Sequence, residues 1–174
     1  DSNSKVHING GYMFIVASGS LEGSIDTDGA TFSITGGTVI GMGGNVGQIT
    51  REATTQPVLV LGGASANSTI VIRSNNNVEV ANFTVPRTFS TLIFTSPELR
   101  LNTTYTMYVN GNPQRTFTTS SIVTVDGGIE FNPFGGFPGG GWGGGFPGGD
   151  WGGGFPGGDW GGGGFPGGDW GGGW

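Results

Sequence analysis

The stretch VHINGGYM at residues 6–13 recurs as FSITGGTV at residues 32–39, and this recurrence is the main indication of the fold in the sequence. Both copies follow the pattern apolar-x-Ile-polar-Gly-Gly-x-apolar, which we call the Gly-Gly motif. Alternating apolar and polar residues are typical of a β-strand, and a Gly-Gly pair favours a tight bend with positive φ. A spacing of 26 residues predicts coils of a right-handed β-solenoid, each burying its inward side chains on the next. Because about three repeats are normally needed for independent stability, these two coils form only a stub.

The next part of the chain, residues 57–125, alternates short apolar stretches with turn residues such as Gly62-Gly63 and Ser96-Pro97. We predict six strands there, at residues 57–61, 68–73, 78–85, 89–95, 103–110 and 115–125. Six short strands in this space predict a small antiparallel sheet or sandwich that caps the solenoid. The stretch LRLNTTY at residues 99–105 also resembles a tyrosine corner, in which a buried tyrosine hydroxyl bonds to upstream backbone.

The composition changes abruptly near Asn132, after which glycine and aromatic residues dominate. The nonapeptide FPGGDWGGG occupies residues 146–154 and again 155–163. Nine is a multiple of three, so an extended polyproline-II or polyglycine-like helix with three residues per turn would keep each residue type on its own face. We expect the aromatic residues of this tail to pack between subunits: Phe134, Phe137, Trp142, Phe146, Trp151, Phe155, Trp160, Phe165, Trp170 and Trp174.

The predicted organisation is therefore an all-β protein in three parts. Residues 1–56 form the solenoid coils, residues 57–128 the antiparallel cap or sandwich, and residues 129–174 the glycine-rich aromatic tail. A flexible linker is the alternative for the tail, although linkers seldom carry a tryptophan and a phenylalanine in every repeat.

Charge and composition exclude several classes of function. The net charge of −6 argues against nucleic-acid binding, because no basic stripe is available to displace phosphate counterions. The chain contains no cysteine, which excludes a disulfide scaffold and thiol chemistry. No apolar run approaches the roughly 18 residues of a membrane span. The sequence begins at Asp1 rather than methionine, so we expect a processed chain that is secreted or held at the cell surface.

Few residues offer catalytic or metal-binding chemistry. His7 is the only histidine and has no cysteine partner, and we expect no enzymatic activity. Asp26 and Asp28 are spaced to share a calcium ion, but such a pair also commonly caps a turn. We therefore expect no cofactor, with calcium at these two aspartates as the open alternative. Three sequons place candidate glycosylation sites at Asn67, Asn82 and Asn102.

Several stretches resemble the C-terminal part of secreted carbohydrate-binding β-helix proteins, a family related to pectate lyases that includes polygalacturonate-binding proteins of plant-degrading bacteria. The first three are KVHINGG at residues 5–11, GSIDTDG at 23–29 and FSITGGTV at 32–39. FSTLIFTSPEL at residues 89–99 and YTMY at 105–108 resemble the sheet that closes the C-terminal end of that family, and SSIVT at 120–124 is also similar. The resemblance covers roughly residues 4–128 and implies a β-helix fold, secretion and binding of acidic plant polysaccharide.

The sequence is consistent with two functions. A solenoid stub has unpaired strand edges that favour head-to-tail stacking, so we expect a structural subunit that polymerises with itself into an extracellular filament or surface layer. The alternative is a non-catalytic carbohydrate-binding module for acidic plant polysaccharide, with tail tryptophans stacking on sugar rings.

Overall fold

The computed structural model describes residues 4–18, 22–27 and 29–126. Its nine strands confirm the all-β class. They are β1 (Val6–Val16), β2 (Phe32–Gly43), β3 (Val58–Ala64), β4 (Thr69–Ser74), β5 (Glu79–Thr84), β6 (Phe89–Thr95), β7 (Thr104–Val109), β8 (Asn112–Thr118) and β9 (Val123–Val125). The predicted tail, with the ten aromatic residues expected to pack between subunits, lies outside the described residues, as does Asp28.

The first sheet has five strands in the order β1-β2-β6-β3-β9. The two copies of the Gly-Gly motif pair in parallel in β1 and β2, with Val6 opposite Phe32 and Ile8 opposite Ile34. This is the arrangement of neighbouring coils. Beyond it, two isolated parallel bridges occur, and β2 then takes β6 as an antiparallel neighbour. The described residues therefore show two sheets rather than a solenoid, and this sheet contains strands from both sides of residue 56.

The second sheet has four antiparallel strands in the order β5-β4-β7-β8. Its apolar face and one face of the five-stranded sheet contribute to a single hydrophobic cluster, so the two sheets pack face to face. From the five-stranded sheet the cluster takes Ile40, Met42, Leu59, Leu61, Leu92 and Phe94, and from the four-stranded sheet it takes Ile70, Ile72, Phe83, Tyr105, Met107 and Phe117.

The opposite face of the five-stranded sheet is also covered. A second cluster contains Ile8, Phe32, Ile34, Val58, Val60 and Val123, and it is closed by Ile25, Val46 and Ile49 from the segments around β2. Because this sheet is buried on both faces, β3 consists of consecutive buried apolar residues from Val58 to Leu61 instead of an alternating pattern.

The sequence-based prediction of one strand over residues 115–125 is wrong, because the chain turns after Thr118. The hydroxyl of Thr119 donates to the carbonyls of Arg100 and Thr103, at 2.6 and 3.0 Å, and this binds the turn to the loop before β7. The chain then leaves the four-stranded sheet and re-enters the five-stranded sheet as β9, beside β3.

The tyrosine corner is confirmed. Tyr105 is only 2% exposed, and its hydroxyl accepts a hydrogen bond from the backbone N–H of Arg100 at 2.9 Å. Its ring stacks on Phe117 at a centroid distance of 6.3 Å. The corner thus fixes the loop after β6 to the strand that follows it.

We expect Tyr105→Phe to lower the free energy of unfolding by about 1–2 kcal/mol, because the N–H of Arg100 loses its partner in a partly buried site. Chemical denaturation measures this change. Tyr108→Phe is the matched control on the same strand and should change stability by less than about 0.5 kcal/mol. Equal effects of the two substitutions would contradict a stabilising role for the corner.

Candidate functional site at the open edges of the five-stranded sheet

Two further stretches of the sequence, at residues 58–63 and 123–128, share the first six positions of the Gly-Gly motif in a relaxed form, and we call β1, β2, β3 and β9 the motif strands. β3 begins with VLVLGG at residues 58–63. VTVDGG at residues 123–128 begins with β9 (Val123–Val125), and its two glycines lie outside the described residues. The shared pattern is apolar-x-apolar-x-Gly-Gly. The longer pattern of residues 6–13 and 32–39 does not cover these stretches, because it has isoleucine at the third position and an apolar residue at the eighth, where they have valine and either Ser65 or Glu130. Apolar residues at the first and third positions before a Gly-Gly pair are the signal common to all four stretches.

The four motif strands have the same direction and the same facing. β1 pairs in parallel with β2, β3 pairs in parallel with β9, and β6 lies antiparallel between the two pairs. In each pair the first motif residues are opposite each other, Val6 with Phe32 and Val58 with Val123. The first and third motif residues of all four strands face the second hydrophobic cluster.

The hydrogen bonding of the two pairs is also equivalent. The N–H of Val6 donates to the carbonyl of Thr31 at 3.1 Å, and the N–H of Val58 donates to the carbonyl of Ile122 at 2.8 Å. In both cases the first motif residue of one strand bonds to the residue that immediately precedes the motif of its neighbour. The sheet therefore repeats one rule of parallel pairing.

Both ends of the sheet are motif strands with an unpaired edge among the described residues. β1 has only β2 beside it, and β9 has only β3 beside it. Near the bend of β1, the rings of Tyr12 and Phe14 are 67% and 43% exposed. A long edge strand with exposed aromatic rings favours the addition of a further strand.

The glycines of β1 and β2 differ in what surrounds them. A Cβ on Gly36 would lie 2.7 Å from the carbonyl oxygen of Asn9, and one on Gly37 would lie 2.7 Å from the carbonyl carbon of Gly10. Glycine is needed there because β1 lies directly against β2. At Gly10 and Gly11, the equivalent residues of β1, a Cβ would meet nothing within 4 Å. The positive φ of Gly11 explains why this residue is glycine. No contact within the described part of the chain explains why residue 10 is glycine.

Side chains at the second motif position touch across a motif pair. His7 lies opposite Ser33, and its Nδ1 atom is 2.6 Å from the hydroxyl of that buried serine. The only histidine of the sequence thus has a polar contact between strands. The contact also shows how close this position brings two adjacent motif strands.

A separate cavity of about 400 Å³ lies where β1 and β2 end and β6 begins. Its lining includes Met42, Phe89, Thr88 and Arg87. The guanidinium of Arg87 donates to the backbone carbonyl of Ser18. Arg87 is the charged residue among those that line this largely apolar cavity.

The predicted calcium pair lies partly outside the described residues, because these include Asp26, which is exposed, but not Asp28. Among the described residues, no three His, Cys, Asp or Glu side chains lie close enough to hold a metal ion. The pairing of Asp26 with Asp28 stays a prediction.

The three sequon asparagines, Asn67, Asn82 and Asn102, are all exposed. The amide of Asn82 donates to Glu79 at 3.0 Å. This bond and the guanidinium of Arg73 hold the pKa of the Glu79 carboxyl below its usual value. Accessibility allows glycosylation at each site, although Asn82 would carry a sugar on an amide already used in this bond.

No family model, curated protein or solved structure matches this chain. Within the described ranges, no helix is both long and apolar enough to cross a membrane. The geometry of the sheet edges is therefore the main guide to function.

Proposed function

We propose that this protein is a secreted structural subunit that assembles with copies of itself into an extracellular filament or surface layer. The observation that carries the proposal is that the five-stranded sheet ends on each side in a motif strand, β1 or β9, whose outer edge is unpaired among the described residues. Unpaired N–H and C=O groups at a sheet edge favour pairing with another chain.

The ends of the sheet differ, so contacts between them are heterologous rather than two-fold symmetric. Heterologous contacts produce an open polymer whenever their rotation does not close a ring. With only 10% charged residues and a single lysine in the sequence, few like charges oppose close packing. These features support an elongated polymer more than a closed dimer.

The solenoid-like stacking and the aromatic tail enter this proposal as its finer parts. The parallel β1–β2 pair is the unit from which stacked coils are built, and a neighbouring subunit would extend that stack. We propose that the tail aromatics bury their rings between neighbouring subunits, at about 25 cal/mol per Å².

A second candidate, binding of acidic plant polysaccharide, is favoured by two surface features. The exposed ring of Tyr12 suits stacking on a sugar, and Arg87 at the cavity suits a uronate carboxylate. This candidate is a non-catalytic binding module.

Sedimentation and negative-stain electron microscopy of the purified full chain test the first candidate, and gel retardation by polygalacturonate, with and without calcium, tests the second. We expect the protein to form polymers that sediment. We also expect polygalacturonate not to change the mobility of the protein in the gel. Retarded monomers without polymers would reject the filament in favour of the binding module.

A further inference from the structure

We propose that the two open edges are complementary, so that β9 of one copy pairs in parallel with β1 of the next copy and continues the five-stranded sheet. This contact rests on the proposed self-assembly and specifies its interface. The occupant of each edge is a second copy of this chain, and the register places Val123 opposite Val6.

The backbone groups exposed at the two edges match. In a parallel sheet, every second residue of a strand directs its backbone N–H and C=O groups to the neighbouring strand on one side, and the residues between them direct theirs to the other side. On the β9 side, the carbonyl of Ile122 accepts from the N–H of Val58, and the N–H of Asp126 donates to the carbonyl of Val60. These groups face β3, so the N–H and C=O groups of Val123 and Val125 face the open edge. In β1, Val6 faces β2, so the groups of Lys5 and His7 face outward.

Joining these edges reproduces the bond seen twice inside the protein. The N–H of Val123 would donate to the carbonyl of Lys5 in the next copy, just as Val6 donates to Thr31 and Val58 donates to Ile122. The carbonyl of Val123 accepts the Ser121 hydroxyl at 2.6 Å within its own chain, and its second lone pair remains available.

The side chains and charges also continue across this contact. The first and third motif residues of β1 and β9 already share one face of the sheet, so the second hydrophobic cluster would extend into the next copy. Among the described residues beside this contact, Lys5 and His7 lie on the β1 side and Asp126 lies on the β9 side, so groups of like charge do not oppose each other there.

Pairing also gives Gly10 the role that Gly36 has inside the protein. Gly36 is limited to glycine because the backbone of Asn9, the fourth motif residue of the preceding strand, lies against it. In the joined sheet the fourth residue of the preceding strand is Asp126, and it would lie against Gly10. The empty space around Gly10 is then the position that a neighbouring backbone fills.

Gly10→Ala tests this role. We expect the variant to fold with an unchanged melting temperature at high dilution, since its Cβ meets nothing in the described chain. We also expect the concentration needed for polymer formation to rise at least about tenfold, because one backbone clash of this size accounts for such a factor. Gly36→Ala is the matched variant, and it should destabilise the isolated subunit. Polymer formation by Gly10→Ala at the wild-type concentration would overturn the contact.

Disulfide trapping tests the register directly, because the chain has no cysteine of its own. Strands that are neighbours in a sheet are about 4.8 Å apart, within the range that a disulfide spans. We expect a mixture of the single variants His7→Cys and Thr124→Cys to give a disulfide-linked dimer under mild oxidation. His7→Cys mixed with Thr116→Cys, on exposed β8, is the control and should give none above background.

The outcomes separate this contact from self-assembly itself. Wild-type polymers with equal trapping at residues 124 and 116 would overturn the β1–β9 contact and leave the filament standing. Trapping of Thr124→Cys by Phe14→Cys but not by His7→Cys would overturn the motif register. A His7–Thr124 disulfide without any wild-type polymer would support the contact and reject the filament.

Discussion

Gly63→Ala is expected to lower the free energy of unfolding by about 3 kcal/mol or more, an effect at the upper end for overpacking. A Cβ on Gly63 would lie 1.9 Å from the carbonyl oxygen of Phe89 and 2.7 Å from its carbonyl carbon. Both atoms belong to the backbone of β6, which pairs with β3 and with β2 in the middle of the sheet. The strain cannot be relieved by moving a flexible side chain, so the pairing of the central strands must shift.

Differential scanning calorimetry measures this effect, and a decrease in melting temperature of about 10 °C is expected for a chain of this size. Gly10→Ala is the control at the first glycine of another motif copy, where a Cβ has open space. It should leave the stability of the dilute subunit unchanged. A Gly63→Ala variant as stable as Gly10→Ala would show that β3 and β6 are not packed as described.

Removal of residues 134–174 is expected to leave the two-sheet unit folded and to raise the concentration needed for polymer formation at least about tenfold. The nine strands all lie between Val6 and Val125, so the truncation removes none of them. The tail carries all five tryptophans of the sequence, and burying several rings between subunits contributes more than the 1.4 kcal/mol that a tenfold change requires.

Circular dichroism checks folding of the truncated chain, and sedimentation measures its assembly. A full-length variant with serine at the tail phenylalanines and tryptophans is the control that separates the rings from the length of the chain. If the truncated protein polymerises at the same concentration as the full chain, the proposed role of the tail is wrong.

Much of the fold could be predicted from local patterns. The repeat at residues 6–13 and 32–39 predicted the strands that pair in parallel as β1 and β2. The alternating stretches between residues 57 and 110 predicted the bounds of β3 to β7 to within three residues, and those of β6 without any difference. The environment of Tyr105 followed from its spacing to the preceding loop. Each of these features depends on neighbours in the sequence.

The rest depends on contacts between distant residues. β3 did not reveal its motif because both faces of its sheet are covered, which places Leu61 where an alternating strand has a polar residue. β9 was hidden in a longer predicted strand because the turn at Thr119 is fixed by partners 16 and 19 residues away. The open space beside Gly10 depends on which strand lies next to β1, so the sequence does not distinguish Gly10 from the closely packed Gly36 of the same motif.

A reconstruction of the polymer by electron cryomicroscopy would test the proposed interface most directly. We expect β1 of each copy to lie parallel to β9 of its neighbour, with the Val123 N–H bonded to the carbonyl of Lys5 and Gly10 covered by foreign backbone. A polymer in which the outer edge of β1 faces solvent would contradict sheet continuation between subunits.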